Sequence, residues 1–172
     1  MGVVISARAY QTAVTALPET LSLPRWGPRP KLPPALPYLQ LDQWPPPALV
    51  AELLVRASAL PDVLVRQSRM AAPDTVALAL PDDCAFGLAE AFIDIPEFCH
   101  LHAVPQGGMH LTLPPALRVP VIELGWAEEH PAARTGSVSS CLVLVYAPRD
   151  RRELESALTI VELSRRFAGG RY

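Results

Sequence analysis

Histidine is concentrated in a single stretch of the chain. All four histidines, His100, His102, His110 and His130, lie between positions 100 and 130 of 172 residues. Neutral imidazole is the commonest protein ligand for Zn, Fe, Cu and Ni, and it also acts as a general base or, once protonated, stabilises an oxyanion. The cluster therefore predicts either a metal site or a metal-free site for acid–base chemistry.

The residues around the first three histidines predict a β-hairpin. Two segments with strand character, 97–103 and 109–113, flank a turn that contains Gly107 and Gly108. If 104–108 forms the loop, directly opposed residues share a face of the sheet. The expected pairs are Ala103 with Met109, His102 with His110, and His100 with Thr112.

This pairing brings three imidazoles to one patch of the sheet. His100 and His102 are two residues apart, so they point to one face, whereas Glu97, Cys99 and Leu101 are expected to point to the other. Three imidazoles with one open coordination position are typical of a catalytic metal site. A single histidine is more often structural, so the prediction depends on this convergence.

Three further residues are candidates for roles near the patch. His130 is a candidate fourth ligand, a group that orients a ligand, or a proton shuttle. Trp126 suits either the hydrophobic core or the wall of a pocket for an aromatic ligand. Thr112, expected opposite His100, is a second candidate substrate contact.

Composition disfavours several classes of protein. Half of the residues are hydrophobic and 19% are charged, which is enough apolar material for one folded domain. The net charge of −2 leaves no basic excess for a nucleic-acid backbone. Three cysteines without a CxxC pair indicate neither a disulfide framework nor a zinc ribbon. Without a membrane-length apolar run or a signal-peptide pattern, the chain is expected to be cytoplasmic and to bind no membrane.

Proline divides the chain into an arm, residues 1–47, and a body, residues 48–172. Half of the 20 prolines fall within the arm, which should therefore run extended. A flexible linker is one interpretation of this composition. Apolar side chains that a linker would not carry favour an arm that packs on the body. They are Trp26, Tyr38, Leu39, Leu41 and Trp44.

Periodicity in the body predicts a single α+β domain. Apolar residues recur at helical spacing over 48–60 and behind the capping residue Asp150, and a short helix is expected from Pro115 to 124. Segments 63–65, 75–80 and 140–146 read as strands in addition to the hairpin, and 131–139 reads as a loop. The order of elements favours a mainly antiparallel sheet with helices on one face.

Several short motifs of the body occur together in a known family. They are Glu97-Phe98-Cys99-His100-Leu101-His102, His110-Leu111, Gly125-Trp126 followed by His130-Pro131, and Tyr146-Ala147-Pro148-Arg149. The chain from Gln40 to Phe167 resembles the fungal luciferase family and its bacterial relatives. The resemblance implies a shared site at the four histidines and no organic cofactor. It also implies oxidation of an aromatic or polyketide-like molecule with O₂, because fungal luciferase oxidises a hydroxylated styrylpyrone with O₂.

Three functions from different classes are compatible with these observations. The preferred hypothesis is a small oxygenase whose histidines bind Fe or Cu rather than Zn, since O₂ is then a substrate. The alternative is a metal-free enzyme in which His100 or His102 abstracts a substrate proton. The third is a non-catalytic module that binds a small aromatic ligand. The sequence leaves the substrate identity and the oligomeric state open.

Overall fold

The computed structural model describes Thr12 and residues 17–172. At its centre is a six-stranded sheet in which every neighbouring pair of strands is antiparallel. The strands are β1 (Leu64–Gln67), β2 (Val76–Ala79), β3 (Glu97–Leu101), β4 (Met109–Thr112), β5 (Ala127–Glu129) and β6 (Leu142–Val145). They lie in the order β1-β2-β3-β4-β6-β5, which confirms the predicted α+β class with a mainly antiparallel sheet.

Four α-helices accompany the sheet in the described residues. They are α1 (Pro47–Ser58), α2 (Pro115–Glu123), α3 (Pro131–Arg134) and α4 (Arg151–Ala168). The first three begin at proline, which has no N–H to leave unpaired in a first turn. In α4 the side chain of Asp150 accepts a hydrogen bond from the Glu153 backbone N–H at 2.8 Å, as the capping pattern predicts.

The two faces of the sheet are covered by different parts of the chain. One face, which includes Leu78, Cys99, Leu111 and Val143, forms the hydrophobic core and packs against α4. Helix α1 packs in turn on α4, so these two helices lie on this face as predicted. None of the helices described here has both the length and the hydropathy needed to cross a membrane. The opposite face carries the histidines, because its cross-strand neighbours are Ala77, His100, His110 and Leu144.

The Pro-rich arm contacts both the core and the histidine face. Leu17 and Leu21 are buried in the core. Gln40 is almost fully buried, and its Oε1 accepts a hydrogen bond from the Ala147 backbone N–H at 2.9 Å. Its Nε2 donates to the carbonyl oxygens of Asp42 and Gln43 at 3.1 Å each. The arm is therefore held by polar contacts as well as by apolar ones.

The apolar residues expected to anchor the arm are mostly at the surface. Trp26 is 80% exposed, Leu41 53% and Trp44 47%, so the prediction that these three pack on the body is wrong. Tyr38 and Leu39 are partly buried. The anchoring role falls instead to the smaller Leu17 and Leu21 and to hydrogen-bonded polar side chains. The partner of Gln40 in the body, Ala147, lies far away in sequence, so no periodic pattern indicates this contact.

A buried ion cluster joins the arm to the start of α4. The guanidinium of Arg25 lies 3.2 Å from Glu153 Oε1, and both side chains are nearly inaccessible to solvent. The Arg149 backbone N–H donates to Glu153 Oε2 at 2.9 Å, and its guanidinium also pairs with Glu153. Gln43 Oε1 accepts from Arg25 and Arg149 at 3.2 and 3.1 Å. Glu153 thus balances two arginines at one buried point.

The hairpin β3–β4 forms, but with a register two residues away from the expected one. His100 pairs with His110 and Leu101 with Met109, so the expected pairs His102–His110 and His100–Thr112 are wrong. The connection is longer than predicted, because β3 ends at Leu101 and the His102 N–H bonds to Gly108 O at 2.9 Å. A shift of two residues preserves the face of every side chain. The three histidines therefore share one face of the sheet, although the predicted residue pairs are wrong.

Glu97 lies on the histidine face, which contradicts the expectation that it points away. The register of β2 against β3 shifts between Leu78 and Ala79, where Cys99 and Glu97 are successive partners. Phe98 is consequently the extra residue of a β-bulge, and both Phe98 and Cys99 belong to the core. The bulge shifts the alternation of side chains between the two faces by one residue. Glu97 therefore lies on the histidine face, and its carboxylate points toward His100.

The segment 131–139 was expected to be a loop, but its first part is helical. Its first residues form the single turn of α3, with His130 as the residue before the helix. His130 follows the short strand β5, which pairs with β6 at the sheet edge. This strand carries His130 to the same end of the sheet as the hairpin histidines.

Candidate functional site

Three histidine side chains converge at one buried point, as predicted. His100 Nε2 lies 3.0 Å from His110 Nδ1, and His102 Nε2 lies 3.2 Å from the same atom. The three ligand atoms all lie within 4.8 Å of one another, and all three residues are buried. These histidines, called the three-histidine site below, are a group that could hold a metal ion.

The carboxylate of Glu97 orients the first histidine. Its Oε1 lies 2.6 Å from His100 Nδ1, and the Ser68 hydroxyl donates to both of its oxygens at 3.0 and 3.2 Å. Because an ionised carboxylate only accepts hydrogen bonds, the hydrogen of this pair lies on His100 Nδ1. The lone pair of a neutral His100 is then on Nε2, the atom that faces the other two rings.

A carbonyl group of the arm orients the second histidine. His110 Nε2 lies 2.9 Å from the backbone oxygen of Tyr38, and a carbonyl oxygen can only accept. His110 therefore carries its hydrogen on Nε2 and its lone pair on Nδ1. The third histidine is held less tightly, since His102 Nδ1 has only the Thr75 hydroxyl at 3.5 Å.

These two assignments place lone pairs face to face. The lone pairs of His100 Nε2 and His110 Nδ1 are directed at each other across 3.0 Å. Two lone pairs repel at this distance unless a positive charge lies between them. The charge is either a proton, which makes His100 an imidazolium next to Glu97, or a metal ion shared by the three rings. The geometry is thus compatible with metal binding and with acid–base chemistry.

Burial keeps most of these imidazoles neutral. It lowers the pKa of His102 to about 4, and the neighbouring His100 adds to the effect. It also holds the pKa of His110 well below its ordinary value, with further contributions from His100, His102 and His130. The pKa of His130 is lowered by burial and by His100. Neutral imidazoles with free lone pairs are the form that a metal ion binds.

The lowered pKa values predict acid destabilisation of the metal-free protein. The pKa of His102 is about 4 in the folded chain against 6.5 for an ordinary histidine, so protons bind preferentially to the unfolded chain between these pH values. The contribution of His102 to the free energy of unfolding is therefore complete above pH 6.5 and is lost as the pH falls toward 4. The shift at His102 is equivalent to about 3 kcal/mol over this window. Urea unfolding at several pH values measures the loss.

A matched variant separates this effect from the protonation of carboxylates. In His102→Gln the titrating ring is gone, so the unfolding free energy should fall less steeply over the same pH window. Equal slopes for the wild type and His102→Gln would contradict the assignment of the loss to this histidine.

The three-histidine site opens into a cavity of about 570 Å³. All four histidines line it, together with the arm segment 36–39, the loop 70–72 and a few apolar side chains. The apolar residues of its lining outside these two segments are Ile93, Ala132, Val138 and Leu142. The lining residues in the described part of the chain include no Arg, Lys, Asp or Glu. A volume and lining of this kind suit a neutral, largely apolar small molecule.

His130 lies beside the three-histidine site. Its ring centroid is 4.8 Å from that of His110 and 5.5 Å from that of Tyr38, edge to face in both cases. Its Nδ1 accepts a hydrogen bond from the Ala132 backbone N–H at 3.3 Å and so caps α3. The group of possible metal ligands among the described residues contains His100, His102 and His110 but not His130.

The two other candidate substrate contacts are not on the cavity wall. Trp126 belongs to the hydrophobic core, and its indole N–H donates to Leu23 O at 3.1 Å. Thr112 is fully buried on the histidine face, where its hydroxyl donates to Ala91 O at 2.7 Å. Both side chains are therefore occupied by main-chain acceptors, and neither is among the residues that line the cavity.

Several residues of the site had no role in the interpretation of the sequence. Glu97 begins the E-x-x-H-x-H motif, which was a usable signal, but strict strand alternation placed it on the wrong face. Ser68, the carbonyl of Tyr38 and the lining segments 36–39 and 70–72 lie far from the histidines in sequence. No local pattern indicates that they meet there.

Comparison with known proteins covers the part of the chain that builds this site. No curated protein and no solved structure matches the chain significantly. Residues 96–164 match the family model described as Luciferase domain, and this segment holds β3, β4, β5, β6 and all four histidines. The match confirms the predicted resemblance to the luciferase family over residues 96–164.

Proposed function

We propose that the protein is a small-molecule oxygenase that binds a transition-metal ion at His100, His102 and His110. The observation that carries the proposal is the convergence of three ring nitrogens, with two of the N–N distances at 3.0 and 3.2 Å. Ring nitrogens bound tetrahedrally to one ion at 2.0–2.1 Å lie about 3.3 Å apart. The luciferase-domain match supports oxidation with O₂ as the class of reaction.

The donor set favours iron or copper for this reaction. Imidazole suits Fe, Cu, Ni and Zn, but Zn has no redox chemistry. When bound, Fe or Cu would supply the one-electron chemistry that reactions of O₂ need. Glu97 and the Tyr38 carbonyl hold His100 and His110 so that their lone pairs point at the centre of the three-histidine site. The free-energy cost of orienting these two ligands for a metal ion is therefore small.

The cavity next to the site supplies the space for an organic substrate. Its uncharged, mainly apolar lining supports an aromatic or polyketide-like molecule rather than a carboxylate or a phosphate ester. The arm segment 36–39 and the loop 70–72 form part of its wall together with the four histidines.

Oxygen consumption tests this proposal. Tag-free protein loaded with Fe or Cu is mixed with a panel of neutral hydroxylated aromatic compounds that includes a hydroxylated styrylpyrone, and O₂ uptake is recorded. We expect uptake with at least one member of the panel, suppression by a chelator, and a fall of more than about a hundredfold in His102→Ala. No uptake with any member, together with tight binding, would favour the binding-module alternative.

A metal-free enzyme is the second candidate, and one observation favours it. The 2.6 Å contact between Glu97 and His100 is the arrangement that stabilises an imidazolium, so His100 is placed to act as a general base toward the cavity. Activity that survives complete metal removal but is lost in His100→Ala would support this candidate over the oxygenase.

Glu97→Gln tests whether the carboxylate supports metal binding. The amide cannot accept the His100 hydrogen bond as strongly, and the ring loses its orientation. We expect metal affinity to fall about 10–100-fold, measured by competition with a chelator of known affinity. Glu90→Gln removes an exposed carboxylate and is the control. Equal affinity in Glu97→Gln and the wild type would contradict this role.

A further inference from the structure

His130 presents a fixed hydrogen-bond donor to the cavity. The backbone N–H of Ala132 points at His130 Nδ1 at 3.3 Å, so this nitrogen must be the acceptor. Pro131 has no N–H, and the N–H of Ala132 is thus the first in α3 that needs a cap. A neutral imidazole that accepts at Nδ1 carries its hydrogen at Nε2. The capping contact therefore selects one tautomer of this ring.

The Nε2–H of His130 has no protein partner in the described residues. The hydrogen bonds of this side chain there consist of the one from Ala132 to Nδ1. Among the described side chains, the one fully buried polar atom without a partner is Arg118 Nε, so His130 Nε2 must touch open space. His130 is almost completely buried from bulk solvent and lines the cavity. The open space that Nε2 touches is the cavity.

The ring hydrogens of His100 and His110 are already bonded. His100 Nδ1 is directed at Glu97, and His110 Nε2 is directed at Tyr38 O. The remaining walls are apolar over most of their area, and an oxygen atom of a ligand has few donors to meet. Placing a carbonyl or hydroxyl oxygen in such a cavity without a hydrogen bond costs free energy.

We propose that His130 is the residue that selects the ligand, by donating its Nε2–H to an acceptor oxygen of a neutral aromatic molecule. This deepens the proposed function, because it assumes that the cavity holds the substrate. It assigns His130 to ligand recognition instead of metal ligation. The ligand class is a neutral ring system with a carbonyl or hydroxyl oxygen at the edge that faces α3.

The test uses two probes of the same shape and full-length protein freed of metal. Acetonaphthone and isopropenylnaphthalene, substituted at the same ring carbon, differ by an oxygen atom in place of a CH₂ group. Titration calorimetry gives the two dissociation constants for the wild type and for His130→Asn. Asparagine is a good capping residue, so in this variant the side-chain Oδ1 still accepts from the Ala132 N–H, while the amide N–H groups end short of the position of the His130 Nε2–H.

We expect the wild type to prefer the ketone over the alkene, and this preference to fall about five- to tenfold in His130→Asn, the value of one hydrogen bond. An unchanged preference in His130→Asn would overturn the proposal. Loss of the preference in Tyr38→Phe but not in His130→Asn would also overturn it, because the Tyr38 ring lies beside His130 and carries a hydroxyl donor. Binding of neither probe to the wild type would also overturn it.

A second measurement needs no variant. Nitrogen-15 correlation spectra of the imidazole rings distinguish the two neutral tautomers, and His130 is expected to carry its hydrogen at Nε2. A hydrogen at Nδ1 would overturn the proposal. Neither experiment involves metal or turnover, so a failure here leaves O₂ uptake to be judged separately, and a failure to take up O₂ leaves the probe preference intact.

Discussion

Replacement of His102 by alanine is expected to lower bound iron or copper from about one ion per chain to below about a tenth. The reason is the geometry of the site, in which His102 would supply one of three ligand atoms, so that its removal leaves two imidazoles. His102 is also the least constrained of the three rings, since its Nδ1 has only a distant contact with Thr75. The variant should therefore lose the metal without losing the fold.

The measurement is elemental analysis of protein purified without an affinity tag and loaded with metal under identical conditions. His130→Asn is the matched control, because it removes a histidine from the same cavity that lies outside the three-histidine site. We expect this control to retain about one ion per chain. Equal, sub-stoichiometric metal in the wild type and His102→Ala would end the metal hypothesis and favour the metal-free enzyme.

Glu153→Gln is expected to destabilise the protein by about 3–5 kcal/mol. The carboxylate of Glu153 is buried between the guanidiniums of Arg25 and Arg149, and Arg25 is buried as well. Loss of its charge leaves two guanidinium groups close together without the carboxylate that both of them contact. The same change should loosen the arm, since Arg25 is one of the contacts that hold it to α4.

Glu155→Gln is the control for this effect. Glu155 lies two residues away in α4 and pairs with Arg56, but both of these side chains are about half exposed. An exposed pair of this kind is worth less than about 1 kcal/mol. Chemical denaturation of the two variants should therefore give very different midpoints. Similar midpoints would show that the buried cluster does not hold the arm.

The convergence of the histidines could be predicted because it depends on a local property of strands. Residues two apart share a face, so His100 and His102 stay together whatever the register. His110 joined them because the true register differs from the expected one by two residues, an even number. A difference of one residue would have placed His110 in the core. The prediction of the site was thus more robust than the prediction of the pairs.

The surroundings of the histidines could not be predicted in the same way. Glu97 was misplaced because the bulge at Phe98 interrupts the alternation, and its cause lies in the pairing with β2. Trp126 was a candidate for the cavity wall, but its indole N–H meets Leu23 O of the arm in the core. The contact between Tyr38 O and His110 likewise joins residues far apart in sequence. Such contacts are set by tertiary packing, which no short sequence pattern encodes.

Anomalous diffraction from crystals of the metal-loaded protein tests the central claim most directly. Data collected on both sides of the iron or copper absorption edge locate the ion without reference to activity. We predict one peak about 2 Å from each of His100 Nε2, His102 Nε2 and His110 Nδ1. No peak at this point, with His100 Nε2 and His110 Nδ1 still in hydrogen-bond contact at full metal loading, would contradict it.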